Sequence, residues 1–135
     1  MPLQNIIHTT LLDTLFRGAS TYSMPTTVYL GLWNTKWNYE ANYTDYDRIS
    51  IALDGTTFSA ADTNGESANT VAFTFPTVGS IGGRVLNYWV LLANPDAASP
   101  IQHLYAWGDL ADAPVTVVSG DTISFDIGDI TISFA

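Results

Sequence analysis

The chain has 135 residues, of which 47% are hydrophobic and only 13% charged, and its thirteen acidic and four basic residues give a net charge of −9. This length fits one domain with one core, and four scattered basic residues argue against nucleic acid and anionic membranes as direct partners. Because there is no cysteine, neither a disulfide framework nor a thiolate metal site can form. The low charged content predicts a neutral surface suited to burial against other protein chains.

The first predicted element is an amphipathic helix over residues 3–17, ending at Gly18. Its apolar positions recur at three- and four-residue spacings and are Leu3, Ile6, Ile7, Leu11 and Leu15. Such a helix packs either on its own domain or against a neighbouring subunit. The amino terminus lacks the basic region of a secretion signal, and no segment reaches transmembrane length, so export by the general pathway is not expected.

Short apolar or alternating runs, bounded by Gly, Pro, Asn and Asp, predict the strands that follow. They lie at residues 27–33, 48–53, 70–75, 84–93, 101–107, 115–118, 122–127 and 130–134. Residues 56–58 are a further candidate, as the return strand of a hairpin, and residues 59–69 are predicted to form a solvated loop. Roughly eight short strands predict a mainly β fold: an antiparallel, jelly-roll-like β-sandwich with one amino-terminal helix. We expect one domain over residues 1–135, with residues 1–18 as its helical segment.

The run at residues 84–93 is the strongest strand signal and is predicted to be central. It is too short to cross a membrane as a helix, and apolar groups fall on both of its faces. One face holds Val85, Asn87, Trp89 and Leu91, and the other holds Leu86, Tyr88, Val90 and Leu92. We expect it to pair antiparallel with residues 101–107.

Residues 34–47 form a long polar stretch with aromatic side chains and no helical or strand period. The aromatic series consists of Trp33, Trp37, Tyr39, Tyr43 and Tyr46. Such rings stack on sugars or anchor protein interfaces, and the simplest alternative is that they fold the loop onto the core.

No catalytic, cofactor-binding or metal-binding constellation is predicted. His8 and His103 lack neighbours that suggest a site, and no nucleophile elbow or phosphate loop occurs. Residues 62–66 resemble the start of a calcium loop but lack the required later Glu, which favours an ordinary turn. Asp121 and Asp129 follow Gly in turns, where Asp caps its own backbone, so a catalytic carboxylate pair is the weaker alternative.

Seven short segments in one order span nearly the whole chain: residues 16–18, 25–32 (PTTVYLGL), 46–49, 73–76 (FTFP), 87–91 (NYWVL), 107–110 (WGDL) and 118–130. In this order the chain resembles a family of tailed-bacteriophage virion proteins, often described as tail fibre or structural proteins. It departs from that family in residues 34–47, which are rich in Trp and Tyr where the family tends to have Gly and Ala.

The resemblance implies a non-enzymatic virion component that needs no cofactor. One compact domain without heptads or a fibrous repeat favours a capsid decoration or cement protein. Such a protein would assemble in the host cytoplasm and bind the major capsid protein at the capsid surface as a homotrimer. A tail or fibre-tip protein that binds host glycans or a receptor is the alternative, and a hydrolase is a third class. The predicted interface residues are Leu3, Ile7, Leu11, Trp33, Trp37, Tyr39, Tyr43 and Tyr46.

Overall fold

The structure, a computed structural model, describes residues 16–18, 25–35, 39–80, 84–95 and 104–133, which include eleven strands. In chain order the strands are β1 (Thr27–Thr35), β2 (Tyr39–Glu40), β3 (Ile49–Ala52), β4 (Glu66–Ala68), β5 (Phe73–Thr74), β6 (Arg84–Leu86), β7 (Tyr88–Leu92), β8 (Leu104–Asp109), β9 (Val115–Val117), β10 (Ser124–Phe125) and β11 (Thr131–Ser133). Every named pair is antiparallel. The mainly β, antiparallel prediction is therefore confirmed. The predicted helix lies outside the described residues except for residues 16–18.

Five strands form the main sheet, in which β7 lies between β1 and β8. The other edge of β1 is shared, since β3 pairs with its first half and β2 with its end. Val90 of β7 stands opposite Gly31 of β1 and Trp107 of β8. The predicted antiparallel pairing of the central run with the strand that follows it is confirmed.

The remaining strands form three two-stranded ribbons, β5 with β10, β4 with β11 and β6 with β9. Buried side chains from the main sheet and from the ribbons and the loops between them form one core, so the ribbons act as a second layer. From the sheet it includes Val28, Leu30, Leu32, Ile51, Trp89, Leu91 and Ala106, and from the second layer Phe73, Phe75, Val78, Leu86, Val117, Phe125 and Ile130. The alternation predicted for β1, with Val28, Leu30 and Leu32 on one face, is confirmed.

Three predictions around the ribbons were wrong in extent. The predicted strands at residues 70–75 and 122–127 shorten to β5 and β10, and the predicted solvated loop at residues 59–69 contains β4. β4 reads Glu-Ser-Ala, is exposed to half-buried, and exists because it pairs with β11. Phe58 does not return as a hairpin strand but forms an isolated bridge with Asn69.

The predicted continuous strand at residues 84–93 is also divided, with Asn87 as the break between β6 and β7. The Asn87 backbone donates to the Trp33 carbonyl at 2.9 Å and accepts from the Leu110 amide at 2.8 Å. Its side-chain amide donates to the Asn34 carbonyl at 2.5 Å. These bonds engage the Asn87 backbone N–H and carbonyl and its side-chain nitrogen outside a regular ladder, so the chain leaves one ribbon and enters the main sheet here.

The break changes which side chains share a face. Leu86 is 1% exposed and packs in the same core as Trp89 and Leu91, whereas Val85 is 38% exposed. Strict alternation predicted that Leu86 and Trp89 lie on opposite faces of one strand. This part of the prediction was wrong, because the strand is interrupted at Asn87 and both side chains reach the same core.

The opposite face of the main sheet is also apolar. Trp33, Val90, Leu92 and Leu104 form a second buried cluster, with Tyr88 and Trp107 packed against it. Both faces of β7 are therefore buried, with Trp89 and Leu91 on one face and Val90 and Leu92 on the other.

Candidate functional site

Part of the aromatic series folds inward in this chain. Tyr43 is 3% exposed, and its ring meets that of Tyr46 edge-on at 5.2 Å between centroids. The Tyr46 ring stacks on that of Phe75 at 6.0 Å, which carries the loop into the main core. Trp33 is 2% exposed and belongs to the second cluster.

Most of the remaining predicted interface residues lie outside the part of the chain that the structure describes. Leu3, Ile7, Leu11 and Trp37 lie outside the described residues, as do His8 and His103. For Tyr39 the structure describes only the backbone, which forms the first residue of β2. The interface role assigned to these residues stays a prediction.

A buried ion pair that was not predicted from the sequence holds the loop against the sheet. Arg48, 7% exposed, donates from Nε to Glu40 Oε1 at 2.6 Å and from Nη2 to Glu40 Oε2. Its Nη1 donates to the Asn94 carbonyl at 2.6 Å. The guanidinium thus joins the residue before β3 to β2 and to the segment after β7, with the bidentate geometry that makes such pairs specific.

The Tyr46 hydroxyl completes this network at the edge of β1. It donates to Glu40 Oε1 at 2.7 Å and accepts from the Leu32 backbone amide at 3.0 Å. Leu32 lies between the part of β1 paired with β3 and the part paired with β2, so the hydroxyl takes the place of a ladder partner. Burial, and next the charge of Glu40, raise the pKa of the Tyr46 phenol well above its usual range.

Gly31 provides the space for the network. A Cβ at this position would lie 3.0 Å from Glu40 Oε1, 3.1 Å from Val90 Cγ2 and 3.2 Å from the Tyr46 hydroxyl. A side chain here would press on the ion pair and on the second cluster together, so the network depends on glycine at this position.

Asn69 is a second buried polar residue that pattern reasoning missed. It is 1% exposed, and its side-chain amide donates to the carbonyls of Val71 and Asp126, both at 2.8 Å. Its Oδ1 accepts from the amides of Gly128 at 3.1 Å and Ile130 at 2.8 Å. Every hydrogen-bonding atom of the side chain is used, and the turn before β11 is held against the ribbon layer.

The acidic turns act on their own backbone, as predicted. Asp121 Oδ2 accepts from the Val118 amide at 2.8 Å, and Asp129 Oδ2 accepts from the Asp126 amide at 2.7 Å. In the calcium-like segment, Asp62 Oδ1 accepts from the amides of Glu66 and Asn64, and these bonds lower the pKa of the Asp62 carboxyl. This segment is an ordinary turn.

The structure contains an open cavity of about 420 Å³ beside Trp89. Both apolar side chains and side chains with carboxylate or hydroxyl groups line it. The lining includes Trp89, Leu110, Val115, Ile123 and Phe125, together with Asp109, Asp112, Thr122, Ser124 and Asp129. Asp129 is already used in its turn. Across the described ranges, no group of three or more His, Cys, Asp or Glu side chains is placed to hold a metal ion.

No helix among the described residues is long and apolar enough to span a lipid bilayer. The ordered features of the loop and turns are anchoring contacts: a bidentate ion pair, a tyrosine hydroxyl at a strand edge and an asparagine whose side-chain atoms are all hydrogen-bonded. They hold the loop and the turns against the rest of the domain.

Comparison with known protein families identifies the class of protein. Residues 2–133 match the model of a family described as podophage GP4 fiber I protein gp80, and a search of curated proteins gave no match. The match defines a class, the structural proteins of tailed-phage virions, and confirms the resemblance drawn from the segment order. Within that class, the chain belongs to the podophage GP4 fiber I protein gp80 family.

Proposed function

We propose that the protein is a non-enzymatic fibre subunit of a tailed-phage virion. The observation that supports this is the family match, which covers residues 2–133 and whose description names a fibre protein. This description supports a location in the fibre. The capsid surface was favoured from the sequence because the chain forms one compact domain.

Within the fibre we assign the protein a structural role rather than glycan recognition through the aromatic loop. Stacking on a sugar requires an exposed ring face, and Trp33 and Tyr43 are 2% and 3% exposed in a single chain. The Tyr46 hydroxyl is committed to Glu40 and Leu32. The described part of the loop is thus built for stability.

The surface composition supports assembly with further copies or with other virion proteins. Charged residues are scarce in the whole chain, and several apolar side chains are exposed on the second layer and the turns, among them Val85 at 38%, Val118 at 48% and Ile127 at 69%. A neutral surface of this kind loses little solvation of charges on burial. We propose a homo-oligomer, with the trimer as the expected state.

Capsid decoration is the second candidate, and the short strands favour it. Apart from β1, each strand in the described ranges has six residues or fewer, and they pack around a compact core rather than along an axis. A domain of this form also suits a lattice of capsid subunits, with the major capsid protein as its partner.

Immunogold labelling of intact virions separates the two candidates. Antibodies against the purified protein should mark the tail and its fibres and leave the head unlabelled. Gold particles spread over the head would support decoration and overturn the fibre proposal. Release of reducing sugar from host polysaccharide by the purified protein would overturn the non-enzymatic part.

A further inference from the structure

The open cavity beside Trp89 combines buried apolar side chains with exposed carboxylates. Trp89, Leu110 and Phe125 line it and are only 4%, 6% and 6% exposed. Asp109 and Asp112 line it as well and are exposed. Its volume of about 420 Å³ falls in the range of pockets that hold small ligands. A ligand would therefore meet apolar groups at depth and carboxylates near solvent.

The Trp89 indole N–H is a hydrogen-bond donor without an acceptor at this cavity. Nε1 lies against Gly108, which directly precedes Asp109 and Leu110 of the lining. Within the described part of the chain, this N–H makes no hydrogen bond, and it is not sealed from solvent. A buried tryptophan usually has a partner for its N–H. A ligand in the cavity can supply the missing acceptor.

The charges around the cavity favour a cationic ligand. Asp109, Asp112 and Asp129 contribute three carboxylates, and none of the described lining residues is Lys or Arg. Asp129 Oδ2 accepts from the Asp126 amide, whereas the Asp109 and Asp112 side chains have no hydrogen bond or ion pair within the described ranges. The net charge of −9 adds to the local field, which attracts cations and repels anions.

Two other occupants fit the cavity less well. A sugar needs an exposed aromatic face for stacking, and the Trp89 and Phe125 rings are almost fully buried. A second copy of the chain brings the same net charge of −9, and its Arg48 is held by Glu40. A basic segment of a different protein satisfies the charge, the apolar lining and the indole N–H together.

We infer that this cavity is the docking site for a basic segment of another protein. The segment places an aliphatic side chain against Leu110 and Phe125 and a neighbouring Lys or Arg beside Asp109 and Asp112. One of its backbone carbonyls accepts from the Trp89 N–H. That the partner is another virion protein rests on the proposed function, whereas the docking chemistry does not. The site serves a fibre subunit and a capsid protein equally.

Nuclear magnetic resonance of the ¹⁵N-labelled full chain tests the site without virions. The probe is the acetylated and amidated peptide Gly-Lys-Leu-Lys-Gly, added at low salt. It should shift the signals of the Trp89 indole N–H and of the Leu110 and Ser124 amides until they saturate. The peptide Gly-Glu-Leu-Glu-Gly should leave them in place, and Gly-Lys-Gly-Lys-Gly should bind more weakly because it lacks the aliphatic side chain.

Variants of the exposed carboxylates link the response to the cavity. Asp109→Asn combined with Asp112→Asn should weaken binding of Gly-Lys-Leu-Lys-Gly by about three- to tenfold, since two surface charge pairs are lost. Asp47→Asn removes one exposed carboxylate outside the lining and should leave the affinity unchanged. Added salt should weaken binding to the parent chain more than binding to the double variant.

Four outcomes would overturn the inference. They are an unmoved Trp89 indole signal at millimolar peptide, an equal response to the Glu and Lys peptides, and a larger response to the neutral disaccharide lactose, which would indicate a sugar site. The fourth is a shift of the same signal when the protein alone is concentrated, which would assign the cavity to a second copy. Immunogold labelling of virions tests the proposed function separately, so the two can fail independently.

Discussion

The Arg48 guanidinium and the Glu40 carboxylate form a bidentate buried pair that joins the residue before β3 to β2 across a gap in the edge of β1. The side chains are 1% and 11% exposed. The two strands share one edge of β1 without contacting each other in the ladder, so the pair substitutes for missing backbone bonds. It explains how a polar, aromatic loop is held in a fixed position.

Removing one partner of this pair should destabilise the fold strongly. Arg48→Met leaves Glu40 buried without its cation, and the free energy of unfolding should fall by about 3–5 kcal/mol. Urea denaturation followed by far-UV circular dichroism measures this. The double variant Arg48→Met with Glu40→Met should lose less than Arg48→Met alone, because no isolated charge remains. A double variant that loses the sum of both single losses would contradict this account.

Alkaline pH should weaken the fold through the buried tyrosines. Burial raises the pKa of Tyr43 to about 12 from its usual 10, and burial together with Glu40 raises the pKa of Tyr46. The folded state therefore favours the neutral phenols. Their contribution is complete below pH 10 and is lost as pH rises toward and through the folded pKa.

The measurement is a series of urea titrations between pH 9 and 12. The free energy of unfolding should decline above pH 10, and Tyr43→Phe should show a shallower decline, since one titrating group is gone. Tyr43 donates only a 3.5 Å bond to the Pro76 carbonyl, so this variant should fold normally at neutral pH. Equal slopes for parent and variant would refute the assignment.

Asn69 should tolerate neither a smaller nor a charged side chain. Asn69→Ala leaves the amides of Gly128 and Ile130 and the carbonyls of Val71 and Asp126 without the buried side chain that joins them, at a cost of about 2–4 kcal/mol. Asn69→Asp restores the acceptor but sets a carboxylate against the Val71 and Asp126 carbonyls, so it should be equally damaging. The exposed Asn64→Ala is the matched control, with a change within about 0.5 kcal/mol.

Gly108 in β8 is required by the Trp89 ring that lies over it. A Cβ at position 108 would overlap the Trp89 indole, whose Cε2, Nε1 and Cζ2 are its nearest atoms. Gly108→Ala should lower stability by about 3 kcal/mol, measured by thermal unfolding. In a Trp89→Leu background the same change should cost much less, whereas an equal cost in both backgrounds would show that the ring is not the obstacle.

The sequence predicted the features that local patterns encode. Alternation of side chains along β1 predicted which of its residues face the core. Gly followed by Asp predicted the turns in which Asp121 and Asp129 accept from nearby backbone amides. β2 and β4 were not predicted, because strands of two or three residues are too short to show an alternating pattern. They are strands because they pair with β1 and β11.

The break between β6 and β7 at Asn87 was not predicted, because apolar residues flank Asn87 on both sides and no Gly or Pro marks a turn there. The buried Arg48 and Asn69 likewise depend on partners that only the fold brings near. One hint existed for Arg48, which is one of four basic residues and directly precedes a strand. Counting such isolated charges would have marked it as a candidate for a paired, buried position.

Quantitative mass spectrometry of virions separated into heads and tails tests the fibre proposal most directly. We predict that the protein copurifies with the tail fraction and is present in far fewer copies than the major capsid protein. Recovery in the head fraction, in copy numbers comparable with the major capsid protein, would contradict the fibre proposal and support capsid decoration.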